Sequence, residues 1–174
     1  MKESSWNRIF PIQQKIDNKV MKLRVYIDTS IVGGYYDEEF KDPTAKLFER
    51  LERNEIIFVI SDLLDLELIN APENVKQLLL KYPLSKFERV ELSEEAIQLA
   101  DLYISQNVVG KTSLEDCRHI ALATINKVDV LASWNFKHIV NLDKIKGYNS
   151  VNQENGYSVI EIRSPKELIK YEED

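Results

Sequence analysis

Runs of apolar and β-branched residues recur along the chain at Leu23 to Ile27, Ile56 to Ile60, Phe87 to Leu92, Val128 to Ala132 and Tyr157 to Ile162, with helical patterns between them. This alternation is the strongest constraint on the fold. Strands separated by helices return to a sheet as parallel neighbours, and a parallel sheet needs cover on both faces. It predicts an α/β chain in three layers, α/β/α, around a mostly parallel, roughly five-stranded sheet. The helix starts are well marked. Asp42-Pro43 opens a helix ending near Asn54, Ser61 opens the next, Pro72 opens "PENVKQLLLKY", and Ser93 with two following acids opens "EEAIQLADLYISQ". Thr112 and Ser113 precede "LEDCRHIALATINK", and Ser164 to Glu167 reads as a capping box with proline at the first helical position.

In such sheets, sites form beyond the carboxyl ends of the strands. The first run ends "RVYIDTSIVGG", so Asp28 stands where the strand stops. The helix after the second run reads "SDLLDLELIN". Its Asp62 and Asp65 read as solvated, but Glu67 lies four residues after Leu63 and three after Leu64 and interrupts the apolar stripe. A lone buried carboxylate must be paired, neutralised or bound to metal. A salt bridge to a Lys or Arg would serve as well as a metal. Asp116 sits four before Ile120 and seven before Ala123 on another core-facing helix, where it could instead cap the helix with Ser113. Taken together, the three acids suggest a carboxylate cage, because like charges in one pocket repel unless a divalent cation holds them ionised. Hard oxygen ligands of this kind suit Mg²⁺ or Mn²⁺.

With 174 residues and 44% hydrophobic content, the chain is expected to form one domain over residues 23–174, preceded by an arm over residues 1–22 in which Trp6 and Phe10 could dock on the body. No apolar span approaches the length of a membrane helix, of about 20 residues. One cysteine, Cys117, and an N-terminus without a secretory apolar core favour the cytoplasm. The net charge of −6 argues against a nucleic-acid partner, unless bound cations reverse the local field. Other chemistries fit less well. Cys117, His119 and His138 match no zinc spacing and read as packing or hydrogen-bonding groups, and Gly33-Gly34 lacks the pattern of a nucleotide loop and reads as a place where backbone passes close to a neighbour, or as a turn.

The segments "VYIDTSIVGGYYD", "SDLLDLELINAP", "SLEDCRHIALATINKVDVLASWNFKHIVN" and "YNSVNQENGYSVIEIRSPKEL" together resemble the PIN-domain ribonucleases, in particular the VapC-like toxins of toxin–antitoxin modules. The resemblance implies a PIN-like fold and metal-dependent hydrolysis of RNA phosphodiesters. It places Asp28, Glu67 and Asp116 at the metal-binding acid positions, with Ser30, Ser133 and Asn135 as polar support. Asn135 stands where many relatives carry a fourth acid; it could supply an oxygen but no charge. Lys111, Arg118, Lys137 and His138 are candidates to position phosphates, each also readable as a solvated surface group. The partners implied are RNA, a cognate antitoxin and a second copy in a homodimer, with no membrane. Two alternatives remain open: a catalytically weak PIN fold that binds RNA or protein, and a phosphatase, although Asp28 is followed two residues later by Ser30 and not by the second acid of a D-x-D pattern.

Overall fold

The computed structural model describes residues 21–169. The expected arm over residues 1–22 lies almost wholly outside them. The strands are β1 (Leu23–Ile27), β2 (Ile56–Ser61), β3 (Phe87–Val90), β4 (Val130–Ala132) and β5 (Ile162–Arg163). They form one sheet in the order β3-β2-β1-β4-β5, with every pairing parallel. The helices are α1 (Thr29–Gly34), α2 (Lys41–Glu52), α3 (Asp62–Leu68), α4 (Glu73–Leu78), α5 (Glu94–Ser105), α6 (Leu114–Ile125), α7 (Leu142–Glu154) and α8 (Pro165–Leu168).

Period-two alternation in the strands sorts the core into two halves. Val25 and Ile27 of β1, Phe58 and Ile60 of β2, and Val130 and Ala132 of β4 pack with Leu47, Phe48 and Leu51 of α2. Tyr26, Val59 and Leu131 point the other way, into Leu99 and Tyr103 of α5, Ile120 and Ala121 of α6, and Tyr148 and Val151 of α7. The sheet is therefore the middle of three layers, and burial on both faces explains why its strands read as continuous apolar runs.

Several local expectations change. The fifth run pairs only at Ile162–Arg163, because Asn149 takes up the backbone N–H and C=O of Ile160 from the side and stands in for a ladder there. Gly33 and Gly34 lie inside α1, not in a turn. A Cβ on Gly34 would stand 2.7 Å from the Trp134 indole, so the glycine is needed for close packing. Ser113 precedes α6 but makes no side-chain cap, and its hydroxyl is buried without a partner among the described residues. The capping explanation for Asp116 therefore falls away. Asn141 caps α7, a helix the sequence patterns had left unmarked. Among the described residues, no helix is long and apolar enough to cross a membrane.

Candidate active site

Strand order reverses direction beside β1: β2 and β3 extend to one side, β4 and β5 to the other. The carboxyl ends of β1 and β4 frame the resulting crevice, the place where open α/β sheets bind ligands. Asp28 follows β1 there, and Ser133 follows β4.

Asp28 is 5% exposed and is held at both oxygens. The Ser30 hydroxyl donates to Oδ1 at 2.5 Å, and the Ser30 backbone N–H donates to the same oxygen at 3.1 Å. The Ser133 hydroxyl donates to Oδ2 at 2.6 Å. Each hydroxyl is itself oriented, since Ser30 Oγ accepts the Trp134 N–H at 2.8 Å and Ser133 Oγ accepts the Asn135 N–H at 3.0 Å. With their lone pairs engaged by backbone donors, both hydroxyls turn their protons to the carboxylate. The Trp134 indole donates to Thr44 at 3.0 Å, stacks on Phe40 and so ties this loop to α2.

Asp116, half-buried on α6, faces the same crevice. Burial is the largest influence raising its pKa; His138 opposes that, while the charge of Asp28 raises it further. Burial likewise raises Asp28, against the opposing influence of His119 and the two serine hydroxyls. Neither acid takes part in an ion pair among the described residues. Asn135 is tied into its own loop. Its Oδ1 accepts the backbone N–H groups of Lys137 at 3.2 Å and His138 at 3.0 Å, which fixes the amide orientation and leaves its N–H₂ to serve Asp116. Its oxygen is engaged by backbone and is not presented as a ligand.

Glu67 is partnered, but by neither Lys nor Arg. His119 Nε2 lies 3.1 Å from both of its oxygens, and the Thr29 hydroxyl donates to Oε2. Behind the imidazole, Nδ1 meets the Tyr26 hydroxyl at 2.7 Å, which in turn meets Ser61 Oγ at 3.0 Å. Half-burial acts to raise the Glu67 pKa, but the hydrogen bonds from His119 and Thr29 outweigh it and hold the carboxyl below its ordinary range. Among the described residues no three His, Cys, Asp or Glu side chains converge as a ready cation cage. Asp28 acts electrostatically on Asp116, and Glu67 on Asp28, while the Glu67 carboxylate is turned to His119.

The predicted phosphate-positioning residues are spread out. Lys111 is exposed and lines an open cavity of about 520 Å³ with Asp101, Ile104, Ser105, Asn107 and Leu114, none of them a site acid. Arg118 is paired with Glu115 at 2.7 Å. Lys137 is exposed on the loop after β4, whereas His138 is half-buried and its charge acts on Asp116. Of the four, His138 is brought to the acids. The sequence reading passed over Tyr26 and Thr29, and took His119 as a packing or hydrogen-bonding group without naming Glu67 as its partner. The spacing Asp116-x-x-His119 was a usable signal, since it puts both on one side of α6.

No protein-family model and no curated protein matches the chain. Solved structures do. A FitAB structure bound to an IR36 DNA fragment superposes with a TM-score of 0.54 at 11% identity, over 86% of this chain and 99% of that one. FitAcB from Neisseria gonorrhoeae gives 0.53 at 13%, over 82% and 98%. VapBC2 from Rickettsia felis bound to a DNA fragment from its promoter gives 0.51 at 16%, again over 82% and 98%. The chain has a PIN-like fold. At such identities the likeness speaks for the architecture, in which Asp28 follows the strand beside which the order reverses.

Proposed function

We propose that the chain is a metal-dependent endoribonuclease acting as the toxin of a toxin–antitoxin pair. One observation supports this reading: Asp28 follows β1, its charge acts on Asp116 of α6 and raises the pKa of that acid, and neither carboxylate is paired with Lys or Arg among the described residues. Repulsion and burial both make that pair costly to ionise, and a divalent cation relieves both. The donor set suits Mg²⁺ or Mn²⁺, which bind through one or two carboxylates plus a substrate phosphate. Asp28 and Asp116 would hold the ion, with Glu67 beside them. Bound there, it would supply Lewis acidity toward the phosphodiester and the attacking water.

The chain's own residues do the rest. Ser30 and Ser133 hold both oxygens of Asp28 in one orientation, Asn135 would steady Asp116, and His138 would meet a phosphate oxygen. The structures that share the fold include ones bound to DNA fragments, and an antitoxin partner, a homodimer and a cytoplasmic setting belong to the same reading. A second reading, a PIN fold that binds RNA or protein without efficient cleavage, is favoured by Asn135, whose oxygen is engaged by backbone N–H groups. Cleavage of single-stranded and structured RNA in Mn²⁺ or Mg²⁺, with Asp28→Asn and Asp116→Asn as controls, separates the two. Cleavage that persists in chelator or in both variants removes the nuclease mechanism.

A further inference from the structure

The Glu67 carboxylate ends a chain of hydrogen bonds that runs through the protein interior, and with a neutral imidazole the donors along it run in one sense. Ser61 Oγ accepts the Leu64 N–H at 3.2 Å, so its own proton is free for the Tyr26 oxygen. Tyr26 is fully buried, and with Ser61 donating to its oxygen its own hydroxyl proton is left for His119 Nδ1. An imidazole that accepts at Nδ1 carries its proton at Nε2, and that N–H is directed between the two oxygens of Glu67. His119 is 2% exposed and Ser61 is fully buried, so water cannot substitute for any of these partners without opening the core. Three further observations bear on what this serves. Thr29, which donates to Glu67, is the immediate neighbour of Asp28; His119 follows Asp116 by three residues on α6; and Tyr26 precedes Asp28 by two on β1. The chain of bonds is therefore anchored on the same two elements that carry the ion-holding acids.

We infer that His119, aimed by Tyr26 and Ser61, is a positioning residue that holds Glu67 beside the Asp28–Asp116 pair so that Glu67 acts through hydrogen bonds and not as a third ion ligand. The inference rests on the nuclease reading of that pair. Glu67 lies on the rim of the crevice with its inner lone pairs taken by His119 and Thr29; its outer lone pairs are left for a water or a substrate hydroxyl. Without the imidazole the carboxylate would be free to swing toward the ion and crowd it. The role is the reverse of the familiar arrangement in which a carboxylate orients a metal-bound histidine.

Mn²⁺ binding, followed by calorimetry or by electron paramagnetic resonance, reads the ligand set without any turnover. Asp116→Asn should weaken binding by about tenfold or more, while Glu67→Gln and His119→Leu should leave it within about threefold. In RNA cleavage, Glu67→Gln and His119→Leu should each lower kcat by about 10- to 100-fold with little change in KM, and their double variant should be no worse than either alone. His119→Gln, which keeps an N–H donor at similar reach, should recover much of the loss. Tyr26→Phe, which leaves the imidazole in place but unaimed, should fall between. Should His119→Leu fail to fold, the wild-type Nε2 proton gives an independent readout: it should appear as a slowly exchanging resonance and vanish in Glu67→Ala. Glu67→Gln weakening Mn²⁺ as much as Asp116→Asn overturns the inference, as does wild-type kcat in a folded His119→Leu. Loss of kcat in His119→Leu that His119→Gln does not restore also counts against it. If Asp116→Asn binds Mn²⁺ normally, the ion site itself is wrong, and this inference goes with it.

Discussion

The two ends of the sheet treat charge in opposite ways. At the amino end, Arg24 of β1 reaches across to Glu88 of β3 at 2.5 Å and also donates to the carbonyls of Asn126 and Lys127, while the Arg24 backbone N–H is accepted by Asp129 at 2.7 Å. At the carboxyl end, Asp28 accepts from two serine hydroxyls, and neither Asp28 nor Asp116 has a guanidinium or ammonium partner among the described residues. Hydrogen bonding by Arg24 is the largest influence on Glu88 and lowers its pKa; burial is the largest influence on Asp28 and Asp116 and raises theirs. The amino end is built for stability. The carboxyl end stores an electrostatic cost that a cation would relieve, which is the usual signature of a functional site.

The largest effect that could break this contrast is catalytic. Asp28→Asn should reduce RNA cleavage by about a hundredfold or more, since it removes one of two groups proposed to hold the ion. Wild-type cleavage by a folded Asp28→Asn would mean that the carboxyl end of the sheet is not where the reaction occurs. Next in size is Gly34→Ala. Its Cβ would displace the Trp134 indole, whose backbone N–H orients Ser30, and should cost about 1–3 kcal/mol in urea denaturation together with some activity.

Arg24→Ala tests the other end. The Arg24–Glu88 pair is partly exposed, so the loss should be modest, about 1–2 kcal/mol, with activity unchanged. A loss of cleavage without a loss of stability would erase the distinction between the two ends. The smallest effect is in the pH dependence of the ion-free protein. Glu88 has a lowered folded pKa, so its contribution is present above the unfolded value and disappears as pH falls through the folded one. Asp28 and Asp116 have raised folded values, so they favour the folded state when protonated, and that contribution is lost as pH rises through those values. Denaturation midpoints from about pH 3 to pH 7 should therefore show a flatter acid limb in Arg24→Ala and a smaller decline toward neutrality in Asp116→Asn.

Much of the fold is legible in the chain. Continuous apolar runs between capped helices are what a doubly covered parallel sheet demands, and Ser61, Ser93 and the Ser164–Glu167 box cap their helices as their residue types predict. The fifth strand was misplaced because Asn149 competes for its backbone from another element. Glu67 was readable as a carboxylate that needed a partner, since it breaks an apolar stripe. That the partner is a histidine was not readable from that stripe.

What the sequence determined by itself is local: period, caps, and the element on which each acid rides. The tertiary structure decided the pairings. Glu67 meets His119 across 52 positions, Asp28 meets Ser133 across 105, and Asn135 turns its oxygen inward to its own loop. Backbone preferences act over a few residues, whereas a hydrogen bond is decided by where packed layers bring distant side chains together. The cost of leaving a buried polar group unpaired then selects the partner.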